Sequence, residues 1–158
     1  TIAVDSTGEF ITAKTAQGKL TVWEMATGVP VSSVPFAEPL RVLTTGAEAG
    51  QVFTAGNSGA VEWNMRERQE KRRFACRTSC ELEQLLYLEQ DRLLVGLNNA
   101  NESVQWSIDK PRKQARPVPN PTLVSGEGAP QLVRSPVGPL LLTATKEGVV
   151  KLHRWAAD

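Results

Sequence analysis

Cys76 and Cys80 are the residues whose types and spacing come nearest to chemistry in this sequence. A close thiol pair is half of a zinc site, and the other half must come from further Cys, His or carboxylate ligands at short range. The one histidine, His153, lies far along the chain. That distance equally disfavours a nucleophilic pair, because a catalytic histidine needs both a positioned nucleophile and an orienting partner. Cys76 is therefore expected to pack in an outer strand, Cys80 to lie in the loop after it, and His153 to be a core or rim side chain. Glu81 and Glu83 would share one face of an extended strand, as an acid–base couple does. Without a pocket to perturb them they are expected on a solvated face. No G-x-x-x-x-G-K-[ST] loop and no G-x-G-x-x-G turn offers a phosphate cradle. The sequence thus predicts no catalytic residue, no metal and no cofactor.

The remaining chemistry is charge. Arg66, Arg68, Lys71, Arg72, Arg73 and Arg77 stand against Glu67 and Glu70, and Lys110, Arg112, Lys113 and Arg116 stand against Asp109. Across the chain 18 Lys and Arg balance 17 Asp and Glu, for a formal charge of +1. That balance argues against a dedicated nucleic-acid-binding domain, which is normally strongly basic. The clusters fit an exposed strand edge kept soluble by cations. They also fit a patch whose guanidinium forks dock an acidic protein segment or, as a lesser alternative, a nucleic-acid backbone or anionic surface.

The elements that must carry these residues belong to a chain of 158 residues, the size of one domain. Hydrophobic residues at 41% and charged residues at 22% are ordinary globular usage. No apolar run approaches the ~20 residues of a membrane span, and no charged-then-apolar leader opens the sequence. Two cysteines cannot staple a domain of this size, which suits a reducing compartment. The expectation is an intracellular domain, cytoplasmic or nuclear, with no membrane partner.

Internal repeats set the architecture. A short β-type phrase recurs as Phe10-Ile11-Thr12-Ala13, Val52-Phe53-Thr54-Ala55, Leu93-Leu94-Val95-Gly96 and Leu141-Leu142-Thr143-Ala144. A polar turn follows each, and then a second strand bearing Trp23, Trp63 or Trp106, with His153 at the equivalent place in the fourth unit. An extended stretch precedes each phrase, and a further one follows the tryptophan strand in three units, giving four short strands per unit. Glu81 to Leu94 has partly helical spacing, but its place in the repeat predicts two strands hinged at Gln90-Asp91. Four strands per ~40–45 residues is the rhythm of a propeller blade.

Gly18-Lys19-Leu20-Thr21-Val22-Trp23-Glu24, followed by Ala26-Thr27-Gly28, resembles the end of a WD40 repeat, as does Arg92 to Gly96 after its acidic turn. The repeats are degenerate, with Trp23-Glu24, Trp63-Asn64 and Trp106-Ser107 in place of Trp-Asp and no Gly-His dipeptide. The buried Asp–His–Ser/Thr–Trp network of strong members is therefore absent, leaving cohesion to apolar packing. The resemblance implies an all-β propeller of four WD40-like blades, approximately 1–36, 37–77, 78–120 and 121–158, the last lacking its outer strand. The economical reading is a single partial domain within a larger ring. It further implies a non-catalytic protein–protein interaction scaffold within a multiprotein complex. By that analogy partner-binding residues lie in the second-to-third-strand loops (Gln17, Asn57, Ser58, Asn98, Asn99 and Lys146) and in the between-blade loops (Glu38, Ser79 and Glu127). Trp23, Trp63, Trp106 and His153 are structural. A part of an enzyme completed by other blades or domains is the remaining alternative.

Overall fold

The structure, a computed structural model, describes residues 2–16, 19–35, 40–76, 80–98 and 103–109, and the strand backbones 117–118, 131–134, 140–144 and 150–154. The described residues form an all-β arrangement of four antiparallel sheets, each a meander in chain order. Sheet I holds β1 (Ile2–Val4), β2 (Phe10–Lys14), β3 (Lys19–Glu24) and β4 (Pro30–Pro35). Sheet II holds β5 (Val42–Thr45), β6 (Gln51–Ala55), β7 (Gly59–Asn64) and β8 (Gln69–Ala75). Sheet III holds β9 (Leu82–Leu88), β10 (Leu93–Asn98), β11 (Ser103–Ser107) and β12 (Pro117–Val118). Sheet IV holds β13 (Gln131–Arg134), β14 (Leu140–Ala144) and β15 (Val150–Arg154). No helix among the described residues is long and apolar enough to cross a membrane.

The segment with partly helical spacing is strand. Leu85 and Tyr87 pair with Gly96 and Leu94, whereas Leu86 and Leu88 pair with Val95 and Leu93 on alternate positions. Apolar residues cover both faces of β9, and a strand flanked on both sides loses the polar alternation that would distinguish it from a helix. Arg92, with φ of 49°, turns the chain between β9 and β10.

Pairing register refines the repeat. Ile11, Val52, Leu94 and Leu141 stand opposite Trp23, Trp63, Trp106 and His153. The recurring phrase therefore slips by one position in sheets II and IV relative to I and III. The tryptophan strands, not the phrases, keep constant register.

The core lies between sheets. Leu20 and Val22 of sheet I pack against Leu43, Val52, Trp63 and Met65 of sheet II. Val42, Phe53 and Phe74, on the other face of sheet II, pack against Leu85, Tyr87, Leu94, Trp106 and Ile108 of sheet III. Phe53 stacks on Tyr87 at 5.2 Å between ring centroids, and Phe74 tilts against Trp106 at 6.3 Å. The first strands form a row, with β5 beside both β1 and β9, and β9 beside β13.

Two expectations need correction. Cys76 and Cys80, expected as separate packing residues, are joined in a disulfide that closes the connection between β8 and β9, with Cα atoms 6.1 Å apart. Their number alone is thus no guide to a reducing compartment. Polar cohesion also survives in part, because the Trp63 indole N–H donates to the Thr54 hydroxyl at 2.9 Å inside the core.

Candidate interaction surface

The β6–β7 turn, Gly56 to Ser58, carries Asn57 and Ser58, both exposed. The turn is tight because Gly59 enters β7 at φ of 136° and a Cβ there would lie 2.1 Å from the Phe74 carbonyl oxygen. Only glycine permits this approach. The connection between sheets II and III docks on the same turn. The Cys76 N–H donates to the Ser58 carbonyl and the Cys80 N–H to the Asn57 carbonyl, each at 3.1 Å. The disulfide therefore ties off a connector already anchored at both ends.

Arg41 extends this surface. Its Nε donates to the Asn57 side-chain oxygen at 3.0 Å, and its guanidinium pairs with Glu83 of β9. Neither Arg41 nor Glu83 stood out in sequence as belonging to one site, because the pairing joins two sheets. Here four polar side chains and a constrained connector share one end of sheets II and III. Such a surface offers fixed donors and acceptors.

Gln17, Glu38, Ser79, Asn99, Glu127 and Lys146 lie outside the described residues. Asn98 ends β10 and is buried, so it is not displayed as its assignment to a loop required. Trp63 and Trp106 are buried, whereas Trp23 is only half-buried. His153 occupies its register position in β15 opposite Leu141.

The basic cluster of sheet II is largely neutralised within the molecule. Arg66 pairs with Glu9, Lys71 with Glu67, Arg72 with Glu62 and Arg73 with Glu70. Arg68 donates to the Val31 carbonyl at 2.7 Å. Arg72 also donates to the Ile108 carbonyl, so it bridges sheets II and III. Arg77, Lys110, Arg112, Lys113 and Arg116 lie outside the described residues. Beside Arg72 a cleft of about 190 Å³ is lined by Glu48, Gln51, Glu62, Trp63, Asn64 and Lys71, among others. Its buried carboxylate, Glu62, is held by Arg72 and by the Gln51 amide at 2.8 Å. The arrangement is that of a satisfied polar group in a sheet interface.

Asp5 is the other buried carboxylate among the described residues. It accepts from the Phe10 N–H at 3.0 Å, the Thr7 hydroxyl at 2.8 Å and the Gly50 N–H of sheet II at 3.3 Å. Burial pushes its pKa up, but the hydrogen bonds from Phe10, Thr7, Gly50 and Glu9 outweigh burial and hold it below the ordinary value. The same edge is pinned by Ser6 donating to the Ala47 carbonyl at 2.6 Å and Thr45 donating to the Val4 carbonyl at 3.0 Å.

No protein-family model matches the chain, and no curated protein matches it in sequence.

Proposed function

We propose that these sheets are consecutive blades of a WD40-like β-propeller, approximately 1–36, 37–77, 78–120 and 121–158, serving as a non-catalytic protein–protein interaction module of a larger regulatory or assembly protein. The observation that carries this reading is the row of first strands. In each sheet the strands run outward in chain order from β1, β5, β9 or β13, and successive first strands lie side by side. Blades around an axis have this order. A rigid stack of this kind holds its loops at fixed positions, which suits recognition more than catalysis. The displayed group Arg41, Asn57, Ser58 and Glu83 is the favoured contact surface.

The test is quantitative co-purification with the chain and two folded variants, Asn57→Arg/Ser58→Arg and Arg73→Glu. A specific set of proteins retained by the wild type, lost with the turn variant and kept with the Arg73 variant supports the reading. Retention lost only with Arg73→Glu, and strongly salt-dependent, would instead assign binding to the basic rim.

A further inference from the structure

The Cys76–Cys80 disulfide spans a sequence separation of only 4. The entropy gained by closing a loop shrinks with its length, so this bond adds little to the fold by that route. It is also within reach of a reductant. Cys76 is partly exposed, whereas Cys80 is buried in the core between sheets II and III. An incoming thiolate can therefore attack the Cys76 sulfur, with Cys80 as the leaving group.

Both redox states of the pair have a place in the structure. The Cys80 sulfur lies 3.8 Å from the Asn57 carbonyl oxygen, so a thiol there has an acceptor waiting. A thiol at Cys76 meets solvent. The next residue along, Glu81, is held at φ of 36°, in the left-handed region that a residue with a Cβ seldom adopts. Such backbone persists only while its surroundings over-determine it, and opening the disulfide removes one of those constraints. The effect reaches the exposed surface through Asn57. Its carbonyl accepts the Cys80 N–H and its side chain accepts Arg41 Nε–H, while Arg41 pairs with Glu83 on β9.

We propose that the Cys76–Cys80 disulfide is a reversible redox latch on the Asn57–Ser58 turn, opened by a small thiol reductant. Two reductant thiols supply two electrons and two protons. One thiolate attacks the Cys76 sulfur, giving a mixed disulfide and releasing Cys80; the second cleaves the mixed disulfide. Cys76 and Cys80 end as thiols and the reductant as its own disulfide. Closed, the latch fixes Arg41, Asn57 and Glu83 in one arrangement and pre-organises that surface. Open, the connector is held by its two hydrogen bonds alone, and the pre-organisation is lost. The consequence for binding rests on the reading of these residues as the contact surface; the redox chemistry does not.

The experiment equilibrates the 158-residue chain in buffers of graded reduced-to-oxidised glutathione ratio. Free thiols are trapped by alkylation and read by mass, and hydrogen exchange at the Arg41 Nε–H is followed by NMR in the same samples. Cys76 and Cys80 are expected to pass together from disulfide to two thiols within this range of ratios, and to return when the ratio is reversed. Arg41 Nε–H is expected to exchange faster in the reduced state, by up to about 30-fold, the limit that closing so short a loop sets. Cys76→Ser/Cys80→Ser is expected to show the faster exchange at every ratio. A pair that stays oxidised in the most reducing buffer, or reduced in the most oxidising one, overturns the latch. So does an Arg41 Nε–H whose exchange ignores the redox state. None of these readouts involves a partner, so their failure leaves the co-purification result on Asn57 and Ser58 standing, and a failed co-purification leaves the latch standing.

Discussion

The indole N–H of Trp106 crosses from sheet III to the carbonyl oxygen of Ala75 in sheet II, at 3.2 Å. Trp63, at the equivalent position of sheet II, finds its acceptor within its own sheet at Thr54. The difference follows from one position, because register puts Gly96 in sheet III where sheet II has Thr54. With no hydroxyl beside it, the Trp106 N–H must find a neighbour's backbone, and a buried N–H left unpaired is costly. Trp106→Ala is expected to cost about 3–5 kcal/mol through lost burial and a cavity. Trp63→Phe is expected to cost about 1–3 kcal/mol, leaving the Thr54 hydroxyl without its donor. Trp23→Ala, at a half-exposed site, is expected to cost less than Trp106→Ala. Urea unfolding of the three variants orders them, and equal losses at Trp23 and Trp106 would contradict the lesser burial of Trp23.

Asp5 links acid stability to the contact between sheets I and II. Its folded pKa is depressed, so the folded state favours the carboxylate more than the unfolded chain does. The stabilisation is complete above the ordinary Asp value of about 3.9 and is lost as pH falls through the lower folded value. Asp5→Asn is expected to lower stability near neutral pH and to flatten its decline in acid. Thermal melts of both proteins between neutral pH and pH 3 measure this, and parallel curves would show that Asp5 is not a stabilising carboxylate.

The strand-and-turn rhythm was legible in sequence because it is local. Asn57-Ser58 sits between two apolar runs, and Trp23, Trp63 and Trp106 mark a constant strand position. The phrase register was less legible, since Val52 rather than Phe53 faces Trp63 and both are apolar. Contacts between sheets were not legible at all. The pairs Asp5–Gly50, Arg41–Glu83 and Arg72–Ile108 join distant residues, and they depend on how sheets stack. For the same reason the basic cluster looked unbalanced in sequence, while Glu9 and Glu62, outside it, supply two of its partners.

Arg72 separates from its neighbours in energetic weight. Lys71 and Arg73 form exposed pairs with glutamates of their own strand or turn, and solvent screening leaves such pairs little weight. Arg72 instead neutralises buried Glu62 and caps the Ile108 carbonyl across an interface. Arg72→Met is expected to cost about 2 kcal/mol, below the figure for a fully buried pair because the guanidinium is partly exposed. Denaturant midpoints for Lys71→Met, Arg72→Met and Arg73→Met check the order. Three equal, small effects would mean that Glu62 is solvated in the folded protein.

The Cys76–Cys80 disulfide closes a short loop, with a sequence separation of only 4. Loop-closure entropy grows with the logarithm of loop length, so a loop this short gains about 2 kcal/mol on the chain-entropy account. The larger consequence is local. Cys76 and Cys80 donate backbone hydrogen bonds to Ser58 and Asn57, and the covalent link holds both donors in place at once. A dithiol reductant converts the bond to two thiols while its own thiols become a disulfide, leaving only those hydrogen bonds to hold the connector. Reduction is expected to raise amide exchange at Cys76 and Cys80, while the amides of β6 and β10 remain protected. The Cys76→Ser/Cys80→Ser variant is expected to reproduce this pattern without reductant. Exchange rates that are unchanged at residues 76 and 80 would show that the hydrogen bonds to Asn57 and Ser58 fix the connector alone. Global loss of protection would show that the disulfide governs the whole fold rather than the Asn57–Ser58 turn.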